Sequence, residues 1–466
     1  HGTVQPFWIW MEDSENNHIY HSEYLLITKK QYVSEEPLKL IFTVPLFEPL
    51  PSQYYIRAES DRWVGASHLI AASFENLVLP QPDEILELMH KFRDDTRPDK
   101  LDLGVGVYKD HLGNTPIMEA VKKAEKTLWE KESTKSYVGL TGDPFFHKMM
   151  INLILGPTFD EERTAAAATP GGTGALRQGL ELIKIANPNA AIWLSNPTWP
   201  NHPSIVEYLQ LKSSEYSYFN FKNKTVSFDA MLKDLSEANS GDIVLLHGCC
   251  HNPTGANLVQ TQWEILGDFL NKKNLIPLID IAYQGFGDGI EEDSLGVRSL
   301  VDLVPEAIIA SSCSKNFGIY RERTGIIIVT SDEKKQKTIN QGILAYLNRN
   351  SFSFPPDHGS KIVSIILSDA HLRKNWETEL NGIRTSMQIN RELLVRELSN
   401  RIGSDRFGFL SEHRGMFSLL GASHEQVQQL QAQHGVYMVS DSRMNIAALS
   451  KKTIPLLVDG IVAVGI

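Results

Sequence analysis

The chain has 466 residues, more than one ordinary domain holds, so two or three domains are expected. Hydrophobic residues make up 42% and charged residues 22%, the composition expected of a soluble globular protein, and no apolar stretch is long enough to span a bilayer. A formal net charge of −11 argues against nucleic acid as a partner, and three cysteines (Cys249, Cys250, Cys313) make no disulfide framework, so a reducing, cytoplasmic setting is expected.

Residues 1–80 carry short aromatic and β-branched runs: Phe7–Trp10, Ile19–Ile27, Leu38–Val44, Gln53–Ala58 and Leu69–Leu79. Turn-like stretches at Glu12–Asn17, Ser34–Pro37 and Glu48–Ser52 separate them. Five short strands without a clear helix predict a small all-β, sandwich-like module. The segments His1-Gly2-Thr3, Pro6-Phe7-Trp8-Ile9-Trp10, His18–Glu23, Phe47-Glu48-Pro49-Leu50-Pro51 and Ser60-Asp61-Arg62-Trp63 resemble the immunoglobulin-like module that closes a cassette of the two-cassette spliceosomal-type RNA helicases. That module would begin with a further strand upstream of His1, so the chain reads as a fragment or a processed product. No Walker-type phosphate loop occurs, so no helicase motor is expected. With 5 Lys/Arg against 10 Asp/Glu, residues 1–80 are unsuited to gripping RNA and read as an interaction or passive module.

From Pro82 onward helical and strand patterns alternate. Ile85, Leu88, Met89 and Phe92 fall at helical spacing behind Asp83, a capping residue type. In Leu103–Lys109 two glycines, Gly104 and Gly106, alternate with valines, the mark of a bulged strand or of backbone brought close to a ligand. A helical stretch Ala120–Lys131 leads to Ser136-Tyr137-Val138-Gly139, where a lone tyrosine reads as core. Thr169-Pro170-Gly171-Gly172-Thr173-Gly174 runs into the helical pattern Leu176, Leu180, Ile183. Glycines there let free N–H groups approach an anion, and the helix dipole favours phosphate. The apolar runs Ala191–Leu194, Ile243–Leu246, Leu275–Ile279, Ala307–Ala310 and Gly325–Val329 follow, several separated by helical segments. This alternation predicts an α/β domain with a mostly parallel sheet, covered by helices, and a site at the strand ends.

The residues just past these runs are the informative ones. After the first comes Trp199, by itself a buried aromatic. After the second comes His247-Gly248-Cys249-Cys250-His251-Asn252-Pro253, a His/Cys cluster whose spacing fits no usual zinc pattern, so no metal is expected. The third ends in Asp280 with Tyr283 beyond it, and a carboxylate at the end of an apolar strand is costly unless paired. The fourth leads into Ser312-Cys313-Ser314-Lys315-Asn316-Phe317-Gly318, continuing through Tyr320, Glu322, Arg323 and Gly325. A lysine just past a buried strand loses its proton more easily, because desolvation disfavours the ammonium, and such a lysine suits Schiff-base chemistry. Ser312, Ser314 and Arg323 could hold a phosphate beside it. Arg349 and Arg443, each taken alone, read as solvated surface charges.

The string around Lys315 resembles the signature of the pyridoxal-phosphate lysine in the aspartate/aromatic aminotransferases, a resemblance that extends over about residues 74–466. It implies a fold-type I transferase with a large domain over about 116–382 and a small one made of 83–115 and 383–466. It implies Lys315 as the Schiff-base lysine and proton shuttle, and Asp280 as the partner of the pyridine nitrogen. Tyr283 and Asn252 would bond the phenolic oxygen, and Trp199 would stack on the ring. Gly172, Thr173, Ser312, Ser314 and Arg323 would surround the phosphate, with Tyr137 reaching it from a neighbouring subunit. Gly106, Trp199 and Asn252 would meet the substrate, Arg443 would take its α-carboxylate, and Arg349 of a partner subunit would take a side-chain carboxylate. His202 and His247 would support these groups from behind. Cys313, Ala448, Phe354 and Ser136 depart from the residues frequent in the family. The implied function is transamination between aspartate or aromatic amino acids and 2-oxoglutarate by a homodimer. The alternative is a catalytically impaired fusion acting through its N-terminal module.

Overall fold

The computed structural model describes residues 4–13, 18–34, 40–41, 43–44, 54–61, 67–72, 84–110 and 113–466. The chain divides into two units, His1–Pro82 and Asp83–Ile466. Several expectations fall outside the described residues: His1-Gly2-Thr3, residues 14–17 of the first turn, 38, 39 and 42 of the Leu38–Val44 run, the turns at 35–37 and 48–52, residues 73–79 of the last run, and the Asp83 cap; the described residues 40–41 and 43–44 of the Leu38–Val44 run are not in a strand.

In the first unit the alternating runs become β1 (Val4–Asp13), β2 (Ile19–Thr28), β3 (Tyr54–Ser60) and β4 (Ser67–Ala72), paired antiparallel in the order β2-β1-β3-β4. Trp8 faces Tyr24 across the β1/β2 ladder with ring centroids 4.7 Å apart. Glu12, buried at the end of β1, is held by the Trp10 indole at 2.8 Å and by the Arg57 guanidinium from β3. A six-residue helix, Lys29–Ser34, follows β2 directly. The sequence pattern missed it because a turn and a half is too short for a helical period to register.

The second unit is built on a seven-stranded sheet. A two-residue strand, β5 (Leu101–Asp102), precedes it in the chain, and the sheet contains β6 (Thr164–Pro170), β7 (Ala191–Asn196) and β8 (Lys212–Ser217). After a small ribbon of β9 (Phe219–Asn220) and β10 (Thr225–Val226) come β11 (Ile243–His247), β12 (Ile276–Ile281), β13 (Ala307–Ser312) and β14 (Thr324–Thr330). The order is β6-β14-β13-β12-β11-β7-β8, and only β14 runs against the others. All five predicted apolar runs are strands of this sheet. Alternate residues serve opposite faces: Ile279, Ile309 and Ile328 join one buried cluster, Leu278, Ile308 and Ile327 the other. Apolar residues at consecutive positions are what a sheet covered on both faces requires.

The two edge strands escaped the sequence reading. β6 is Thr-Ala-Ala-Ala-Ala-Thr-Pro, and alanine carries little strand propensity. It is a strand because β14 pairs with it along its length. Its outer edge at Ala166 is closed by one side chain. The Gln341 amide accepts from the Ala166 N–H at 3.0 Å and donates to its carbonyl at 2.9 Å. β8 is a polar strand, Lys-Ser-Ser-Glu-Tyr-Ser, with only Tyr216 fully buried.

The remaining chain supplies β15 (Phe417–Leu419), β16 (Val436–Tyr437) and β17 (Arg443–Asn445), with β15 pairing β17 and β16 pairing β5. A 33-residue helix, Ala370–Ile402, runs alongside. Its Trp376 stacks on Phe317 at 4.6 Å and donates to the Asn316 carbonyl at 2.7 Å, fixing the turn that carries Lys315. No helix among the described residues is long and apolar enough to cross a membrane. Trp376→Ala should lower stability by about 3–5 kcal/mol, since it opens a cavity and orphans a buried carbonyl. Denaturant unfolding checks this, and a change under about 1 kcal/mol would show that the stack does not hold the turn.

Candidate active site

Strands β7, β11, β12 and β13 run parallel, so the turns after them converge at one end of the sheet. There they surround a cavity of about 180 Å³ lined by Gly106, Gly172, Thr173, Trp199, Asn252, Asp280, Tyr283, Ser312, Ser314, Lys315, Arg323 and Arg443. Twelve of the fourteen candidate residues, drawn from seven separate stretches of sequence, thus share one wall.

Lys315 stands past the end of β13 with its Nζ 5.1 Å from the Tyr283 ring centroid. Burial lowers its proton affinity, the Arg323 charge adds to this, and Asp280 only partly opposes it. Asp280 closes β12. Burial pushes its carboxyl up, but the hydrogen bond from His202, together with the Lys315 charge nearby, outweighs that and holds it below its ordinary value. His202 Nε2 lies 3.0 Å from Asp280 Oδ2. A carboxylate can only accept, so Nε2 carries the proton and Nδ1 takes the Thr198 hydroxyl at 2.8 Å. Thr198 in turn faces His247 Nε2 at 3.1 Å. Burial drives the His247 pKa down to about 3, so this ring is neutral and donates to Thr198. The file Asp280–His202–Thr198–His247 locks one carboxylate oxygen and leaves the residue's other lone pairs toward the cavity.

At one end of the cavity Gly171, at φ +73°, opens the helix Gly171–Ala186. A Cβ there would lie 2.4 Å from Arg323 Nη2, and one on Gly172 would lie 2.9 Å from the Ser312 Cβ, so glycine leaves the space open. Among the described residues Arg323 bonds only Ser314 Oγ at 3.3 Å and the Tyr320 carbonyl at 3.2 Å. At the other end Arg443 reaches Asn252 Oδ1 at 3.3 Å and the Gly104 carbonyl at 2.9 Å. Its Nε is buried without a partner. Among the described residues neither guanidinium is in an ion pair; both await anions.

Residues 98–461 match the family model for aminotransferase class I and II, and residues 1–73 match that for the Sec63 Brl domain. The chain is 53% identical over 391 residues to an aromatic-amino-acid aminotransferase of Paracoccus denitrificans, covering 84% of this chain and 99% of that one. It is 42% identical over 396 residues to an aspartate aminotransferase of Escherichia coli, covering 84% and 100%. A solved aromatic amino acid aminotransferase with 3-indolebutyric acid superposes with a TM-score of 0.83 at 53% identity, over 84% of this chain and all of that one. Another, from Burkholderia pseudomallei and covalently bound to pyridoxal phosphate, superposes with a TM-score of 0.82 at 35% identity, over 84% and 99%. The chain belongs to the class I and II aminotransferases. It is a fold-type I enzyme that transfers amino groups between amino acids and 2-oxo acids with pyridoxal phosphate.

The aminotransferase cavity fits that cofactor. Unpaired Arg323 beside a glycine-opened helix N-terminus suits its phosphate, ionised Asp280 its ring nitrogen, and Lys315 its aldehyde. Two candidate residues lie apart from the cavity. Tyr137 is 84% exposed and stacks on Phe354 at 4.6 Å. Arg349 stands over the same ring at 5.8 Å and bonds the Ser353 hydroxyl.

The sequence reading passed over Phe417, Arg391 and Asn445. The Arg443 guanidinium lies 4.3 Å over the Phe417 ring, and a Cβ on Gly106 would touch that ring at 3.0 Å. Fully buried Arg391 holds the Phe417 strand through the Leu410, Gly415 and Phe417 carbonyls and Ser418 Oγ. Asn445 Nδ2 binds the Val105 and Val107 carbonyls at 2.7 and 2.8 Å, setting the segment that carries Gly106. Each acts through contacts distant in sequence, so no local motif could mark it.

With its proton affinity lowered, Lys315 should be the first amine to react when the cofactor-free chain meets an aldehyde and borohydride near pH 7. Peptide mapping by mass spectrometry reads this, and labelling spread evenly over the lysines would contradict the depressed basicity.

Proposed function

We propose that this aminotransferase moves the amino group of aromatic and dicarboxylic amino acids to 2-oxoglutarate, at a site completed by a second copy of the chain. The observation that carries the reading is the pair of guanidinium groups, Arg323 and Arg443, that line the cavity with Lys315 and have no carboxylate partner among the described residues. When bound, pyridoxal phosphate supplies an aldehyde carbon that exchanges amines and a ring that accepts the electron pair left when the amino acid's Cα loses its proton.

The protein's own groups do the rest. Arg323, Ser312, Ser314 and the N–H groups of Gly172 and Thr173 would grip the phosphate. Trp199 would pack on the ring, and Asp280, kept ionised through His202, would hold a proton on the ring nitrogen. Tyr283 and Asn252 would bond the phenolic oxygen. Arg443 takes the substrate's α-carboxylate in a two-point contact, with Gly106 and Phe417 shaping the space around it. Lys315 Nζ, its basicity lowered by burial, would be the group that accepts and returns the substrate's Cα proton.

Two features support a homodimer with shared sites. Tyr137 and Arg349 lie outside their own chain's cavity, and they are joined through the Phe354 ring, as residues serving a neighbour's site would be. The relatives named for aromatic amino acids and for aspartate support both substrate classes, and the three free, buried cysteines go with a cytoplasmic location. Within 83–466 the large domain is about 116–382 and the small one 83–115 with 383–466; residues 1–80 form a separate interaction module.

Lys315→Ala should abolish transamination while leaving the fold intact, and activity retained with any amino acid would sink the mechanism. Arg349→Leu should lower kcat/KM for aspartate by about a hundredfold, the loss of a buried charge-paired contact, and that for phenylalanine by less than about tenfold. Equal losses would remove Arg349 from the substrate side chain.

A further inference from the structure

Behind the catalytic cavity lies a second one of about 400 Å³, lined among others by Trp263, Asp293, Glu292 and Glu412, and sharing only His247 and Cys249 with the first. Around Cys249, which lines both, a second thiol (Cys250) and the Asp293 carboxylate from the second cavity's lining come together. In an extended chain adjacent side chains point to opposite faces, but Cys250 adopts φ +50°, which breaks that alternation. The sulfurs of Cys249 and Cys250 and a carboxylate oxygen of Asp293 consequently lie within 4.8 Å of one another. All three residues are under 9% exposed. A left-handed non-glycine residue costs about 1–3 kcal/mol, so the convergence is held against strain. Asp293 is itself fixed, accepting N–H bonds from Gly285, Gly287 and Asp288 at 2.8 Å each. Those three bonds leave a carboxylate with about four lone-pair sites one still open.

We propose that Cys249, Cys250 and Asp293 form a binding site for one thiophilic divalent cation of the zinc or cadmium class, entered through the second cavity. Two soft sulfurs and one oxygen supply three ligands, and water from the cavity supplies a fourth. On binding, both S–H groups ionise, two sulfur–metal bonds form and two protons leave to solvent, with no change of oxidation state. The usual Cys/His spacings do not reveal the site because its third ligand comes from a later helix and the neighbouring histidines take no part. Occupancy inhibits, because Asn252 stands two residues beyond Cys250 in the same turn, and Cys250 Sγ lies 3.9 Å from the Tyr283 carbonyl.

The test is a titration of the cofactor-free full chain with Cd²⁺, following the ultraviolet thiolate-to-cadmium absorption and proton release. The site predicts one ion and two protons per chain, with the band lost in Cys249→Ser and in Cys250→Ser but kept in Cys313→Ser. It also predicts that Cd²⁺ slows transamination by the wild type and not by Cys250→Ser. No band, a band surviving in both serine variants, or equal dependence on Cys313 would overturn the site. Inhibition undiminished in Cys250→Ser would overturn its inhibitory role. The absorption arm needs no turnover, so a failure of the proposed reaction would not be mistaken for a failure of the site.

Discussion

The active site depends on keeping one carboxylate charged at the end of a buried strand. Unpaired, Asp280 would take up a proton or destabilise β12, because a bare carboxylate is poorly tolerated in an apolar interior. His202 removes the difficulty by donating to it, Thr198 orients His202, and His247 orients Thr198. Thr198 and His202 follow β7, His247 ends β11 and Asp280 lies near the end of β12, so the polar file exists only because these parallel strands run side by side. The fixed charge also faces Lys315, where it only partly offsets the desolvation that lowers that amine's basicity.

Much of this was legible in the sequence, for a physical reason. A parallel sheet buried on both faces must use unbroken apolar runs, and it places its chemistry directly after them. Reading the residues that follow each run therefore singled out Trp199, Asn252, Asp280 and Lys315, which line one cavity. The reading failed where structure comes from pairing rather than from local pattern. The alanine strand β6 and the polar strand β8 are set by their neighbours, and the short helix after β2 spans too few residues to show a period. Phe417, Arg391 and Asn445 were invisible because their roles arise from contacts outside any local motif, 19 to 27 residues away for Arg391 and 338 to 340 for Asn445. Arg391 shows this well: a mid-helix arginine reads as a solvated charge, yet it is fully buried and spends its donors on a loop and a strand that shape the substrate end of the cavity.

The two vacant guanidinium groups give the site its polarity. Arg323 on the glycine side and Arg443 on the Phe417 side define a cavity that expects an anion at each end and a reactive amine between them. A phosphate-bearing cofactor and a carboxylate-bearing substrate meet that requirement together. The convergent thiols beyond Asn252 belong to the same wall, so ligand chemistry on its far side bears on the residues facing the cofactor.

The way Gln341 closes the β6 edge has an effect on what becomes of the protein between synthesis and use. An uncapped sheet edge is a template for any passing strand, and here one amide, far from the chemistry, occupies both backbone groups of Ala166. A chain with that residue changed could keep every catalytic group and still be lost to self-association before it turned over a single substrate. Evolution would then hold Gln341 through the yield of soluble protein, a pressure that no assay of the purified enzyme would register.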